Sequence, residues 1–180
     1  MVHYGAEMTT GISTEGRMTR AGTDGAHRET PRSGHGETES RAAAAFDRWY
    51  QAHESADLVA LAAVLAENVT VRSLFRPAPV RGRERAVEHF KKTLQAFSDL
   101  SMPLLGPIGI TAMGVVFGEV RFAGHFTGFL TVRDRRYEGE RQPFDVSGVV
   151  ILHTGNDAVT SVRTLFDRDD WLHQIGIPAH

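Results

Sequence analysis

The chain has 180 residues, 41% of them hydrophobic, with 20 basic and 22 acidic side chains and a net charge of −2. That suits one domain with an appendage, and it excludes the concentrated basic face a nucleic-acid binder needs, since Glu84 and Glu88 interrupt the densest basic cluster at Arg81, Arg83 and Arg85. Cysteine is absent, which removes disulfides, thiolate nucleophiles and cysteine-based zinc sites and fits a cytoplasmic setting, and no apolar run approaches the roughly 20 residues of a membrane helix.

Residues 1–40 contain seven Gly, seven Thr and three Ser and few large apolar side chains. They are expected to form a disordered, dispensable tail, because they bury too little surface to offset the entropy of ordering. A domain is expected over 41–178. Its first helix is predicted from Arg41 to His53, with Phe46, Trp49, Tyr50 and His53 on one face. Asp57 is a candidate N-cap for a second short helix carrying Leu58, Leu61, Val64 and Leu65. Val69 to Phe75 reads as a strand, and Pro77, Pro79 and Gly82 mark a loop. A third helix is predicted over 84–97, with Val87, Phe90, Leu94 and Phe97 as its buried stripe.

The pattern then turns to strands: 104–112, 115–132, 144–153 and 159–166, with 133–142 as a charged, exposed hairpin connection. Gly155, Asn156 and Asp157 signal a tight turn between the last two. A short final helix is predicted from Asp167 to Gly176, ahead of Pro178. Helices followed by strands imply an α+β domain with three helices on one face of a curved, cone-shaped sheet. Alternation assigns Val116, Gly118, Val120, Phe122, Gly124 and Phe126 to the concave side, and places His125 and His153 on the outer face.

Several segments carry a family resemblance. Ala66-Glu67-Asn68-Val69, Val80-Arg81-Gly82-Arg83 and the order of elements resemble the nuclear transport factor 2-like superfamily. The ending Asp167-Arg168-Asp169-Asp170-Trp171-Leu172-His173-Gln174-Ile175-Gly176 is similar to the close of SnoaL-like polyketide cyclases. Gly148 to Leu152 and Arg163 to Asp167 look like limonene epoxide hydrolase relatives. The resemblance implies a cone-shaped α+β domain that pairs into a homodimer through the outer face of its sheet, where Val149 and Ile151 lie.

The chemistry implied by the resemblance is narrowed by departures from it. The carboxylates of ketosteroid isomerases correspond to Ser73 and Val150, and the charged residues of limonene epoxide hydrolases to Val120, Phe122 and Thr164. None of these side chains is a carboxylate base near neutral pH. The carboxylate corresponding to the SnoaL-like general acid/base is Asp167, which has a competing local role as N-cap of the last helix. His53 is the second catalytic candidate, weighed against a helix-end histidine half in solvent. Trp49, Tyr50, Ser73, Phe122, Val150, Thr164 and Phe166 are the expected substrate contacts, with Tyr50 donating a hydrogen bond to a substrate oxygen.

The expected function is a cofactor-independent, metal-independent cyclase, isomerase or dehydratase. Its substrate is a small hydrophobic polyketide-like or other apolar carbonyl compound, and neither nucleic acid nor membrane is an expected partner. Epoxide opening or ether-ring formation is one alternative. A non-catalytic ligand-binding or dimerisation module of the same fold is another, because one fold hosts many functions.

Overall fold

A computed structural model describes residues 33–73 and 78–178. Helix α1 spans Ser33–Glu54, α2 Leu58–Val64, α3 Arg83–Ala96 and α4 Arg168–Gln174. The strands are β1 Leu65–Arg72, β2 Val80–Arg81, β3 Phe97–Ser101, β4 Gly109–Ile110, β5 Val115–Phe126, β6 Phe129–Val132, β7 Arg135–Glu138, β8 Gln142–Gly155 and β9 Ala158–Phe166. Seven of them form one sheet in the order β2-β1-β9-β8-β5-β3, with β4 also on β5. The sheet is mixed: β1 and β9 run parallel and the other neighbours antiparallel. It is the curved α+β architecture read from the sequence.

Burial follows the predicted alternation. Val116, Gly118, Val120, Phe122, Gly124 and Phe126 are all buried, while Phe117, Glu119 and Arg121 are exposed. Across the pair β5–β8, Val120 faces Gly148, Phe122 faces Val146 and Gly124 faces Phe144. The inward set meets Ala42, Ala45, Phe46 and Trp49 of α1, which are at most 1% exposed. Burying a side chain such as Phe46 is worth roughly 1.5–3 kcal/mol and helps to hold the helix on the sheet.

Local signals set the helix starts. Asp57 caps α2 by accepting from the amides of Val59 and Ala60 at 3.0 and 2.9 Å. Gly82 precedes α3 at φ 90°, a left-handed conformation that glycine adopts without steric cost, and its amide donates to the Val69 carbonyl at 2.8 Å. The β8–β9 turn has Asn156 and Asp157 at φ 49° and 62°, the geometry of a two-residue type I′ hairpin.

Four boundaries differ from expectation. Helix α1 begins at Ser33, so residues 33–40 of the expected tail are helical; residues 1–32 lie outside the described residues, as do 74 and 75 of the expected first strand. Phe97 opens β3 instead of closing α3, because its side chain packs against Phe126 and Phe144 across the sheet. The predicted strand 104–112 is reduced to a bridge from Leu104 to Val120 and the short β4, since Pro107 has no N–H to offer a ladder. The predicted strand 115–132 breaks at Thr127 and Gly128, whose amides both donate to the Ala96 carbonyl at the end of α3, at 3.0 Å each. A Cβ on Gly128 would stand 2.2 Å from the Gln95 carbonyl oxygen, so the chain turns there only with glycine. Beyond the break, β6 and β7 form a separate hairpin closed by Arg133 and Asp134 at φ 50° and 63°. That hairpin replaces the connection expected over 133–142.

Candidate functional site

The end of α1 is fixed by its backbone. The amide of Ala56 donates to the His53 carbonyl at 3.1 Å and that of Asp57 to the Ala52 carbonyl at 2.9 Å, with Ala56 left-handed at φ 55°. This paired-bond helix terminus normally recruits glycine. It sets the last turn, and with it His53, against the inside of the cone.

His53 and Trp49 of α1 form one wall of a cavity of about 40 Å³. Helix α3 adds His89, Phe90 and Thr93, and β1 adds Val71 with Ser73 just past its end. The sheet side is Phe122 of β5 with Val162, Thr164 and Phe166 of β9, and Met102 closes one end. The volume suits about three waters or one small functional group. A smaller void of about 20 Å³, lined by Leu58, Leu61 and Leu100, shares His53, Phe90 and Thr93 with it. The wall is apolar with a few polar groups, the usual composition of a small-molecule site.

The His53 side chain is 12% exposed. Its ring lies 5.4 Å from that of Trp49 and meets Phe90 edge-on at 5.8 Å and 85°. Its Nδ1 is buried without a hydrogen bond of good geometry, 3.5 Å from Oε1 of Glu54. The same Oε1 accepts from the Met102 amide at 2.9 Å. The indole Nε1 of Trp49 is also buried and has no hydrogen-bond partner. A buried donor left unmade costs about 1–3 kcal/mol, so this N–H is a group that gains from meeting an acceptor.

Residues 46–162 match the SnoaL-like domain family. The chain belongs to that family. Solved structures agree on the fold. A candidate SnoaL-like polyketide cyclase from Jannaschia sp. CCS1 superposes with a TM-score of 0.65 at 16% identity, covering 78% of this chain and 95% of its own. A hypothetical protein of ketosteroid isomerase-like fold from Catenulispora acidiphila, solved with trimethylamine, gives 0.61 at 21% identity over 75% of this chain and 94% of that one. An epoxide hydrolase from Mycobacterium tuberculosis, like limonene epoxide hydrolase, gives 0.56 at 18% over 76% and 90%. No curated protein matches the sequence.

Of the residues expected to form the site of this SnoaL-like domain, Trp49, His53, Ser73, Phe122, Thr164 and Phe166 line one cavity. Three do not. Tyr50 is turned to the loop after β3: its hydroxyl donates to the Met102 carbonyl at 3.1 Å and receives the Leu104 amide at 3.3 Å. Its donor is therefore spent on backbone and not on a substrate oxygen. Val150 is wholly buried in the sheet core between Gly118 and Thr164. Asp167 is exposed, and its Oδ1 accepts the amides of Asp169 and Asp170 at 3.0 Å each. That is the N-cap of α4, the local role the sequence offered as the rival of proton transfer.

The family-like ending has a structural reading throughout. Trp171, Leu172 and Ile175 are at most 1% exposed, and Gln174 bonds the backbone of Asp145 in both directions, at 2.7 and 3.2 Å. The motif docks α4 onto β8. Asp167→Ala is accordingly expected to cost about 0.5–2 kcal/mol of stability, and Asp167→Asn almost nothing, with turnover per folded molecule kept in both. A large loss of turnover in a stable Asp167→Asn would return the acid/base role to this carboxylate.

His125, on the outer face as predicted, has Nδ1 3.4 Å from Asp99, beside Ser98 and away from the cavity. Sequence reasoning passed over Glu54, His89 and Thr93. Adjacent residues do not face each other within a helix, so nothing links His53 to Glu54 until the helix end is placed. His89 is next to Phe90 on the predicted stripe and was hidden by it. Among the described residues no group of three His, Asp or Glu side chains stands close enough to hold a metal ion, and no helix is long and apolar enough to cross a membrane.

Proposed function

We propose that this SnoaL-like domain is a cofactor-independent enzyme that moves a proton on a small apolar carbonyl compound, with His53 as the acid/base group. The observation that carries the reading is that His53 and Trp49, whose indole N–H is buried without a partner, stand on the wall of one largely apolar cavity. Trp49 Nε1–H is the donor proposed to take the carbonyl oxygen. His53 takes a proton from the adjacent carbon and returns it elsewhere. Cyclisation and isomerisation of β-keto compounds, and dehydration of β-hydroxy carbonyl compounds, all begin with that step. The named polyketide cyclase among the similar structures is consistent with such a substrate.

A cavity of about 40 Å³ holds one carbonyl group with its neighbouring carbons. The proposed substrate therefore presents a short acyl end, or a small ring, to His53. The test is exchange of carbon-bound hydrogen in D2O, followed by proton NMR over a panel of linear and cyclic β-keto compounds. Protein-dependent exchange on any of them supports the reading. Binding without exchange across the panel favours the second reading, a ligand-binding module, to which the cavity's lack of a carboxylate among its described lining residues also points.

The homodimer is likewise a proposal. The outer face of β5 and β8 carries the exposed Phe117 with the half-buried Val149 and Ile151. Pairing through this face predicts a mass near twice 19.8 kDa in sedimentation at micromolar concentration. A monomer there rejects it.

A further inference from the structure

A neutral imidazole carries its proton on one ring nitrogen, and only the other accepts a proton from a substrate. The choice between them is made by what the first nitrogen meets. In His53, Nδ1 is sealed from solvent, and the Glu54 carboxylate stands 3.5 Å from it. That carboxylate is itself anchored by the Met102 amide at 2.9 Å. Met102 is tied back to α1 one turn earlier, because the Tyr50 hydroxyl bonds its carbonyl and the Leu104 amide. Trp49 and Phe90 flank the ring, so a flip that exchanges its faces has to displace two aromatic side chains.

The groups packed around His53 add little competing charge. Glu54 comes from its own helix, and His89 of α3 shares the cavity. The contacts from α2 and β3 around the adjoining void are Leu58, Leu61 and Leu100.

We infer that Glu54 is a positioning residue: its carboxylate accepts Nδ1–H of neutral His53, fixes that tautomer, and leaves the Nε2 lone pair to take the substrate proton. The inference rests on the reading of His53 as the acid/base group. In the step itself the C–H bond next to the carbonyl breaks, its proton passes to Nε2, and its electron pair moves onto the carbonyl oxygen as an enolate. The imidazolium so formed has its positive charge beside the Glu54 carboxylate, which is where it is stabilised. The proton returns from Nε2 to carbon or to a departing oxygen, so the histidine ends as it began. The two atoms stand 3.5 Å apart without hydrogen-bond geometry, so the inferred bond needs the Glu54 side chain to close on the ring.

The experiment is nitrogen-15 NMR of the histidine rings in the ligand-free protein at a pH of about 9, where an ordinary imidazole is neutral. Wild type is expected to show His53 with its proton on Nδ1, and Glu54→Met to move a large share of it to Nε2. A wild-type spectrum with the proton on Nε2 overturns the inference, as does an unchanged tautomer in a folded Glu54→Met. Should that variant fail to fold, the wild-type spectrum alone decides. With a substrate in hand, Glu54→Met should lower kcat roughly 10- to 100-fold, as loss of an orienting partner does elsewhere, while KM stays within about twofold. If the tautomer result holds while His53 variants keep full turnover, Glu54 orients His53 as inferred and the catalytic reading is what fails.

Discussion

Replacing His53 by glutamine should lower turnover roughly 10²–10⁴-fold while the protein stays folded, the usual worth of one positioned acid or base. Glutamine fills much of the same space and keeps a polar head, but it takes up no proton near neutral pH. The backbone bonds that end α1 run through Ala52, Ala56 and Asp57, with only the carbonyl of residue 53 taking part, so the helix end does not depend on the imidazole. What the variant gives up is the ring contact with Trp49 and Phe90, each a modest term of about 0.5–1.5 kcal/mol. The readouts are carbon-hydrogen exchange in D2O on whichever panel compound responds, together with the melting temperature. A stable variant with unchanged exchange would sink the assignment, and His53 would then be a packing residue at a helix end. The contrast with Asp167→Asn is informative, because that carboxylate is committed to the amides of Asp169 and Asp170. The two substitutions are expected to separate cleanly, one losing turnover and the other losing nothing.

What could be read from the sequence here was what depends on near neighbours. Asp57 and Asp167 were visible as caps because a cap bonds amides two and three residues away. The Asn156–Asp157 turn and the inward set from Val116 to Phe126 were visible for the same reason, since turn chemistry and strand alternation are local. Features decided by distant partners were not. The break at Thr127–Gly128 exists because Ala96, about 30 residues earlier, offers its carbonyl to both amides. Helix α1 extends back to Ser33 through a stretch that includes Gly34 and Gly36, which propensity alone reads as tail. Ala56 takes a left-handed conformation where glycine is the usual signal, so the exact end of α1 had no marker.

The site divides along the same line. Trp49, His53, Ser73, Phe122, Thr164 and Phe166 were placed by face and by resemblance, and the fold brings them to one cavity. Tyr50 shares their helix face but not their role, because the loop at Met102 and Leu104 arrives to occupy its hydroxyl. The family-like ending from Asp167 to Gly176 has a structural role that the resemblance did not show. It looks like a catalytic signature, yet its polar members Asp167 and Gln174 are engaged in capping α4 and clamping it to Asp145. A motif can persist in a fold because it docks a helix, so its presence identifies the family more safely than the activity.

Trp171→Ala is expected to be the most destabilising single change in α4, costing about 3–5 kcal/mol. Trp171 is 1% exposed and is the largest side chain that α4 buries. Its ring meets Phe97 at 5.9 Å, Phe144 at 6.3 Å and Phe166 at 6.0 Å, all in edge-on geometry. These three come from β3, β8 and β9, so one side chain ties the early strand β3 to the β8–β9 pair. Removing it opens a cavity that relaxation fills only in part, and the ring contacts are lost in addition to the buried area. At about 2–4 °C per kcal/mol for a domain of this size, the melting temperature should fall by roughly 6–20 °C. Trp171→Phe keeps a ring in the same place and should lose markedly less. The effect is expected to reach the site, because Phe166 stacks on Phe122 at 5.8 Å and 13°, and both line the cavity beside His53. With Trp171 gone, Phe166 loses its backing, so a folded Trp171→Ala at low temperature should bind panel ligands more weakly than wild type. A melting temperature within about 2 °C of wild type would show that α4 is not part of the cooperative unit, and that Phe166 is held by the sheet alone.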